Sequence, residues 1–374
     1  MPLEIVPPGT HIDFLGRRRL AFLVSGLLML VGIAAIPVQG IRMGIDFAGG
    51  TEVQLRFAPG VDVDEGRIRD VAGACGVPQV TVVRYGEVDV PEYLIRFREV
   101  AAGAEGNADT ACPLSDADRR RLAETDQQTG ADAEEPGTAA VVDRMVAALS
   151  NSVGSLEILR VEYVGPRVGD ELRRDGLLAL LIACALIVVY IAFRFSSRFA
   201  PGAIIALIHD IAITAGIFVI FGLEFDLRVL AALLAILGYS LNDTIIIYDR
   251  IRENMELHTK HDLTDVLNRS VNQTLSRSLL TSFTTLGAVL ALLFVGGEVI
   301  RPFALAMAIG IVVGTYSSTF IAAPTLLYLE ERYGSGGGGR GSRASREGEG
   351  RGHPRESGKR GRRKAGGKAA RAGA

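Results

Sequence analysis

A carboxylate sits where a carboxylate is expensive. Asp243 lies in the run Leu237-Gly-Tyr-Ser-Leu-Asn242-Asp243-Thr-Ile-Ile-Ile-Tyr248, which is otherwise fit to cross a bilayer. Near the membrane centre such a group costs about 2.5–3.5 kcal/mol on insertion scales, so it faces a bundle interior or a wet cavity and pairs there. The obvious partner is Arg277, at the head of the next apolar run. This chain is expected to be a membrane protein with charged chemistry inside its helices.

The distribution of residues agrees. Mean hydropathy is +0.28 and the net charge of −2 conceals strong segregation along the chain. Six stretches are long enough to span a membrane: Leu20–Val38, Leu177–Phe193, Ala203–Phe221, Leu230–Tyr248, Leu279–Val295 and Phe303–Leu329. The last exceeds a single crossing and would be tilted or trimmed.

Basic residues near span ends set the orientation. Arg17, Arg18 and Arg19 precede the first span, Arg194 and Arg198 lie between the second and third, and the tail is crowded with Arg and Lys. One alternation puts all three groups in the cytoplasm, so both termini are expected there. The segment 39–175 then lies outside, with fifteen Arg, no Lys and twenty-five Asp or Glu. The first apolar run is long for a signal peptide and lacks a clean cleavage site, so it is expected to stay as an anchor.

The domain plan is therefore a cytoplasmic N-terminus over 1–19, a first span over 20–38, an exported domain over 39–175, a five-helix bundle over 176–329 and a basic tail over 330–374. In the exported part Val53, Leu55 and Phe57 alternate as in a strand, whereas Ile68, Val71, Ala72 and Cys75 follow helical spacing. Val80–Tyr85, Tyr93–Glu99 and Leu156–Val164 read as strands, and Val141–Ser152 as a helix. The order β-α-β-β-α-β predicts a small α+β ferredoxin-like domain. Residues 101–137 are acidic and poor in large apolar side chains, which predicts a mobile insertion. Cys75 and Cys112 could bridge in an oxidising compartment. Cys75 fits an apolar helix face, however, and Cys112 falls in that insertion, so they are expected to be unpaired.

Soluble enzyme chemistry finds no support. Gly49-Gly50 lacks the partners of a phosphate loop or a dinucleotide fingerprint and reads as a bend where a strand leaves the membrane. His258 and His261 lie in a cytoplasmic loop with no third ligand close by, so neither a metal nor another cofactor is expected. From Arg340 onward there are twelve basic and three acidic residues among Gly and Ser. That composition suits an extension attracted to anionic headgroups better than a nucleic-acid binder.

Several motifs occur together: Gly44-Ile-Asp46-Phe-Ala-Gly49-Gly50-Thr51, Val164-Gly-Pro-Arg-Val-Gly-Asp-Glu-Leu172, Ile208-His209-Asp210, Phe221-Gly-Leu-Glu-Phe-Asp226, the Asn242–Asn254 and Asn272–Thr285 runs, and Gly314-Thr-Tyr-Ser-Ser318. In that order they resemble the SecD/SecF family of the bacterial Sec protein-export translocase, related to the resistance-nodulation-division transporters. Ile45-Asp46-Phe47 and the modest exported segment favour the SecF side of the family. The resemblance implies a non-enzymatic, proton-driven component of the inner (cytoplasmic) membrane. It implies pairing with SecD, work beside the SecYEG channel, and promotion of export of an unfolded chain after the ATP-driven stage. It also implies that Asp243 and Arg277 are proton-pathway residues.

Depth supports that assignment. Asp243 lies about five residues from the cytoplasmic end of its span, roughly 7–8 Å at 1.5 Å per residue, and Arg277 begins the next span. His209 and Asp210 fall roughly 10 Å into the third by the same rise. Asn242 is the better candidate for packing than for carrying protons. Ser276, Thr281, Ser282, Thr284 and Thr285 could hold water, and Gly310, Gly314, Ser317 and Ser318 form a small face expected to receive the partner. The rival expectation is a half-size proton-coupled efflux transporter, which would use the same intramembrane acid.

Overall fold

The structure is a computed structural model that describes residues 7, 10–58, 63–77, 80–85, 92–97, 112–129, 136–195, 198–258, 261–297 and 299–333. Six helices are long and apolar enough to cross a membrane: Leu15–Gln39, Pro166–Arg194, Ala200–Ile220, Leu227–Leu257, Leu263–Val295 and Arg301–Arg332. Within the first, the α-helix α1 runs Arg18–Gln39. A short helix, α2, follows at Ile45–Ala48. The exported domain then comprises β1 (Gly50–Phe57), α3 (Glu65–Ala74), β2 (Thr81–Tyr85), β3 (Glu92–Phe97), α4 (Asp116–Thr129), α5 (Pro136–Ser152) and β4 (Leu156–Val164). The remaining spans are α6 (Pro166–Arg194), α7 (Ala200–Ile220), α8 (Leu227–Leu257), α9 (Leu263–Val295), α10 (Arg301–Ser317), a π-helical turn at Ser318–Ala322, and α11 (Ala323–Tyr333).

The four strands lie in the order β2-β3-β1-β4 with every neighbour antiparallel, as a split βαβ unit requires. Period-two alternation on β1 buries Val53, Leu55 and Phe57 beneath α3 and α5. Ile68 and Ala72 of α3 and Met145, Ala148 and Leu149 of α5 close that core, with no exposed surface between them. Across the strands Phe57 and Tyr93 pack edge to face at 5.4 Å, and the Tyr93 hydroxyl donates to the Val63 carbonyl.

Two expectations for this domain are corrected. Cys75 and Cys112 form a disulfide. Both sulfurs lie in the apolar core, so the fit of Cys75 to a helix face and its pairing are compatible rather than exclusive. The helix α4 also lies within the stretch expected to be wholly mobile, docked beside α5. Its Asp118 carboxyl accepts from Asn151 and Ser115, and those bonds hold it below the usual carboxylate range. Residues 101–111 and 130–135 of the stretch that was expected to move, and the tail beyond residue 333, lie outside the described residues.

Small residues set the packing of the spans. A Cβ on Gly32 of α1 would come within 2.9 Å of Gly216 Cα on α7, so the two backbones cross at contact distance. A Cβ on Gly310 would lie 2.2 Å from Ile236, and one on Gly314 would lie 3.0 Å from Ser240. The small face of the sixth span is therefore spent inside this chain, against α8, and is not the partner surface it was expected to be. Prolines 166, 201 and 302 open α6, α7 and α10, where a missing amide proton costs nothing.

The exported end is stitched to the spans at the Gly-Gly segment. Gly49 has φ +71°, and a Cβ there would press within 2.9 Å of Pro166 Cα at the head of α6. Met43 and Phe225 form a parallel bridge, and the Asp46 carboxylate accepts from the Leu227 amide as α8 begins. Asp226 caps α8 by accepting from the Val229 amide at 2.8 Å. Arg96 on β3 donates at 2.5 Å to Glu52 on β1 and also reaches Glu224 in the α7–α8 loop. Burial works against the Arg96 charge, and the two carboxylates overcome it, holding the guanidinium above its ordinary range.

Candidate functional site

Two carboxylates lie inside the bundle, and both hang from one turn of the sixth span. Asp243 on α8 and Asp210 on α7 are 8% and 0% exposed. Ser318, at the start of the π-helical turn, donates to Asp243 Oδ2 at 2.6 Å. Its neighbour Ser317 donates to Asp210 Oδ2 at 2.8 Å. Adjacent residues point to different acids because successive side chains on a helix are turned about 100° apart, so Ser317 reaches α7 and Ser318 reaches α8. Single π turns of this kind recur at functional positions.

Each acid takes further hydroxyl donors. Ser278 of α9 donates to Asp243 Oδ1, and Ser240 of α8 donates to Asp210 Oδ2. His209 Nδ1 stands 2.9 Å from Asp210 Oδ1, and its other ring nitrogen is buried with no hydrogen-bond partner among the described residues. Tyr316 stacks on the His209 ring at 6.1 Å and is itself anchored on α1, donating to the Ala21 carbonyl and accepting from Ser25. The third, fourth, fifth and sixth spans thus meet at hydroxyl–carboxylate contacts, with the first held against them through Tyr316.

Hydroxyls differ from amides in one way that matters here, since each can donate or accept. Ser318 Oγ also lies 3.1 Å from the Thr315 carbonyl, and Ser317 Oγ lies 3.1 Å from the Gly314 carbonyl. With a charged Asp243, Ser318 gives its proton to the acid. With a protonated Asp243, the acid can donate to Ser318 while Ser318 turns to Thr315. The cage therefore satisfies both states of the acid without moving a backbone atom.

Sequence-based expectations divide at this site. Asp243, His209 and Asp210 come together in the interior. Arg277 does not pair with Asp243, and its side chain is exposed on the outer face of α9. The reason is angular. Ser278, one residue on, occupies the inward position, so Arg277 is turned about 100° away. Asn242 is likewise exposed, beside Asp243 in sequence but not in direction. Ser282 bonds Thr315 at 2.7 Å, whereas Thr281, Thr284 and Thr285 return their hydroxyls to their own helix. In the motif after the first span, Asp46 caps α8, Gly49 and Gly50 carry positive φ, and Thr51 is buried with its hydroxyl unpartnered among the described residues.

Ser240, Ser278, Ser317 and Ser318 were missed as carboxylate partners. A signal existed: Ser270, Thr274, Ser278 and Ser282 recur every four residues along α9, and all four are buried. Four-residue spacing places them on one face, the side-chain repeat of a helix.

Known proteins resemble this chain closely. The family described as protein export membrane protein SecD/SecF, C-terminal, matches residues 145–332, and the SecD/SecF GG motif matches residues 34–61. The protein translocase subunit SecF of Calditerrivibrio nitroreducens is 40% identical over 332 residues, 87% of this chain and 96% of its own length. That of Pseudomonas aeruginosa is 38% identical, covering 85% of this chain and 91% of its own. The protein translocase subunit SecDF of Thermus thermophilus is 37% identical over 88% of this chain but only 40% of its own length. A crystal structure of SecDF from Thermus thermophilus, described as a translocon-associated membrane protein, superposes with TM-score 0.68 at 35% identity. It is matched over 87% of this chain and 39% of that one, so this chain spans about two fifths of the fused protein.

Proposed function

This chain belongs to the SecD/SecF family of protein-export membrane proteins, and we propose that it is a SecF-type accessory subunit of the Sec translocase. It is a multi-pass integral membrane protein. In this reading it sits in the cytoplasmic membrane with both termini inside, pairs with SecD beside the SecYEG channel, and draws an unfolded chain outward using the proton gradient. The existence of relatives in which SecD and SecF are one polypeptide supports the pairing.

The observation that carries the proton reading is the pair of interior acids hung from Ser317 and Ser318. Asp243 would take up and release the proton, with Asp210 and His209 extending the path and Arg277 acting on the charged state. Uptake changes the charge of a helix packed against its neighbours, and each elementary charge crossing the field is worth about 2.3 kcal/mol per 100 mV. The α7–α8 connection would pass the resulting motion outward, because Glu224 and Asp226 in that loop touch Arg96 of the exported sheet and cap α8. Asn242, on the exposed face of α8, would hydrogen-bond to a packed partner helix rather than carry protons.

Mild extraction from native membranes and identification of the co-purifying chains test the assignment. A SecD-type chain together with the channel is the expected result. Recovery with a periplasmic efflux adaptor in their place would favour the half-transporter reading instead.

A further inference from the structure

A two-part cavity opens beside the spans at the level where the exported domain begins. Its lower part is an apolar groove of about 380 Å³ between α1, α6, α7 and α8, walled by Ile33, Ile36, Leu177, Leu180, Ile211 and Ala215. Its upper part is a polar chamber of about 820 Å³ under the sheet. The two share Ile41, Met43, Phe47 and Arg173, so one passes into the other. Both volumes fall in the range of ligand sites, about 300–1,000 Å³.

The charges at the junction are unevenly committed. Arg96 is held by Glu52 and Glu224, and the Asp226 carboxylate is occupied by the Val229 amide and Arg228. Arg173 makes one exposed pair with Asp170, which leaves most of its five donors free. Arg42 lines the chamber against Gly222 and has no ion-pair partner among the described residues. Uncommitted positive charge thus stands directly above an apolar slot.

We propose that this cavity holds one glycerophospholipid of the leaflet on the exported-domain side, an acyl chain in the groove and its phosphate between Arg42 and Arg173. The shape argues against other occupants. A partner helix would need a seam along the whole spans, but the groove occupies only their halves nearer the exported domain, reaching no deeper than Gly32 on α1, Leu180 on α6, Ile211 on α7 and Leu233 on α8. An extended peptide would need backbone partners in the slot, and its walls offer almost none. An acyl chain needs none, and its headgroup would sit level with the two guanidinium groups, which bind phosphate well. Gly32 and Gly216 meet at the edge of the slot and Gly176 packs against Leu230 there, so the helices that wall it are held closely together.

The full chain, purified with its SecD-type partner and placed in phosphatidylcholine nanodiscs, provides the test. The probes are a phosphatidylglycerol carrying a photoreactive diazirine in one acyl chain, and the diacylglycerol with the same chains. Crosslinked peptides are compared with those around Phe193, which is 89% exposed on α6 and reports ordinary lipid contact. The phospholipid should label the groove above the Phe193 level, and more strongly than the diacylglycerol does. Ala215→Phe, which fills the slot, should abolish that excess. Arg42→Gln with Arg173→Gln should lower phospholipid labelling to the diacylglycerol level without disturbing the fold, since both side chains lie at the surface. Groove labelling no higher than at Phe193, equal labelling by the two probes, or an excess that survives Ala215→Phe would each overturn the proposal.

Discussion

Asp243 and Ser318 are joined by a 2.6 Å hydrogen bond that crosses from the fourth span to the sixth. One residue earlier, Ser317 makes the matching bond to Asp210 on the third span at 2.8 Å. Any rotation of the sixth span where α10 passes into the π-helical turn therefore acts on both acids together. The turn is also held from the first span, through Tyr316 and the Ala21 carbonyl.

Ser318→Ala removes one of two hydroxyl donors to Asp243 at little cost in volume. The loss of a bond to a charged acceptor is worth about 1.5–3 kcal/mol. Gradient-dependent export in vesicles should fall severalfold while the complex still assembles. Ser317→Ala should be milder, because Asp210 keeps Ser240 and His209. Equal gradient responses in parent and Ser318→Ala would separate this turn from the proton cycle.

Gly49→Ala should destabilise the junction of the exported domain and α6. A side chain there meets both the positive φ and the Pro166 backbone at 2.9 Å, a cost of about 1–3 kcal/mol. Gly40→Ala is the control, since φ is +72° there but nothing lies within 4 Å. A lower melting temperature for the Gly49 variant than for the Gly40 variant is expected from thermal unfolding of the purified complex.

Removal of residues 104–135 should destabilise the exported domain. It takes away Cys112 and α4, and with them the disulfide to Cys75, 37 residues apart in sequence. Closing a loop of that length typically contributes about 2–4 kcal/mol. The exported domain of the deletion, and of Cys112→Ser, should be cleaved by protease faster than that of the parent. Identical cleavage rates would show that the disulfide contributes nothing to its stability.

Arg96→Met leaves Glu52 and Glu224 without their shared cation. A largely buried carboxylate left unpaired costs about 1–3 kcal/mol. The exported domain should then move more freely against α8, read as a broader distance distribution between spin labels at exposed Arg69 and Glu253. An unchanged distribution would mean that the bridge and the Asp46 cap alone hold the two parts together.

Much of this arrangement was legible before the structure. Apolar run length located six spans, and period-two and helical spacing located the ferredoxin-like unit, because both patterns follow directly from which face is buried. Asp243, His209 and Asp210 stood out because charge inside a membrane is costly. What the sequence hid was direction. Arg277 and Ser278 are neighbours in the chain, yet only Ser278 faces Asp243, and helix rotation is set by packing such as Gly310 on Ile236 rather than by local pattern. The disulfide escaped for a related reason. Cys112 lies in polar, low-complexity sequence, and only the fold of α4 brings it to the core.

If Asp243 carries the proton that drives export, replacing its carboxyl with an amide should remove the effect of the gradient. Asp243→Asn keeps the shape of the side chain, accepting from one of Ser278 and Ser318 and donating to the other, but cannot titrate. Inverted vesicles bearing the variant complex are compared with the parent, with and without an imposed proton gradient, scoring protection of an exported protein from protease. Arg277→Met and His209→Ala run alongside, the first expected to impair the gradient response and the second to do so less. The variant complex should assemble and support the ATP-driven part of export, while the gradient-dependent part disappears. A gradient response in Asp243→Asn vesicles as large as the parent's would make Asp243 a packing residue and contradict the account.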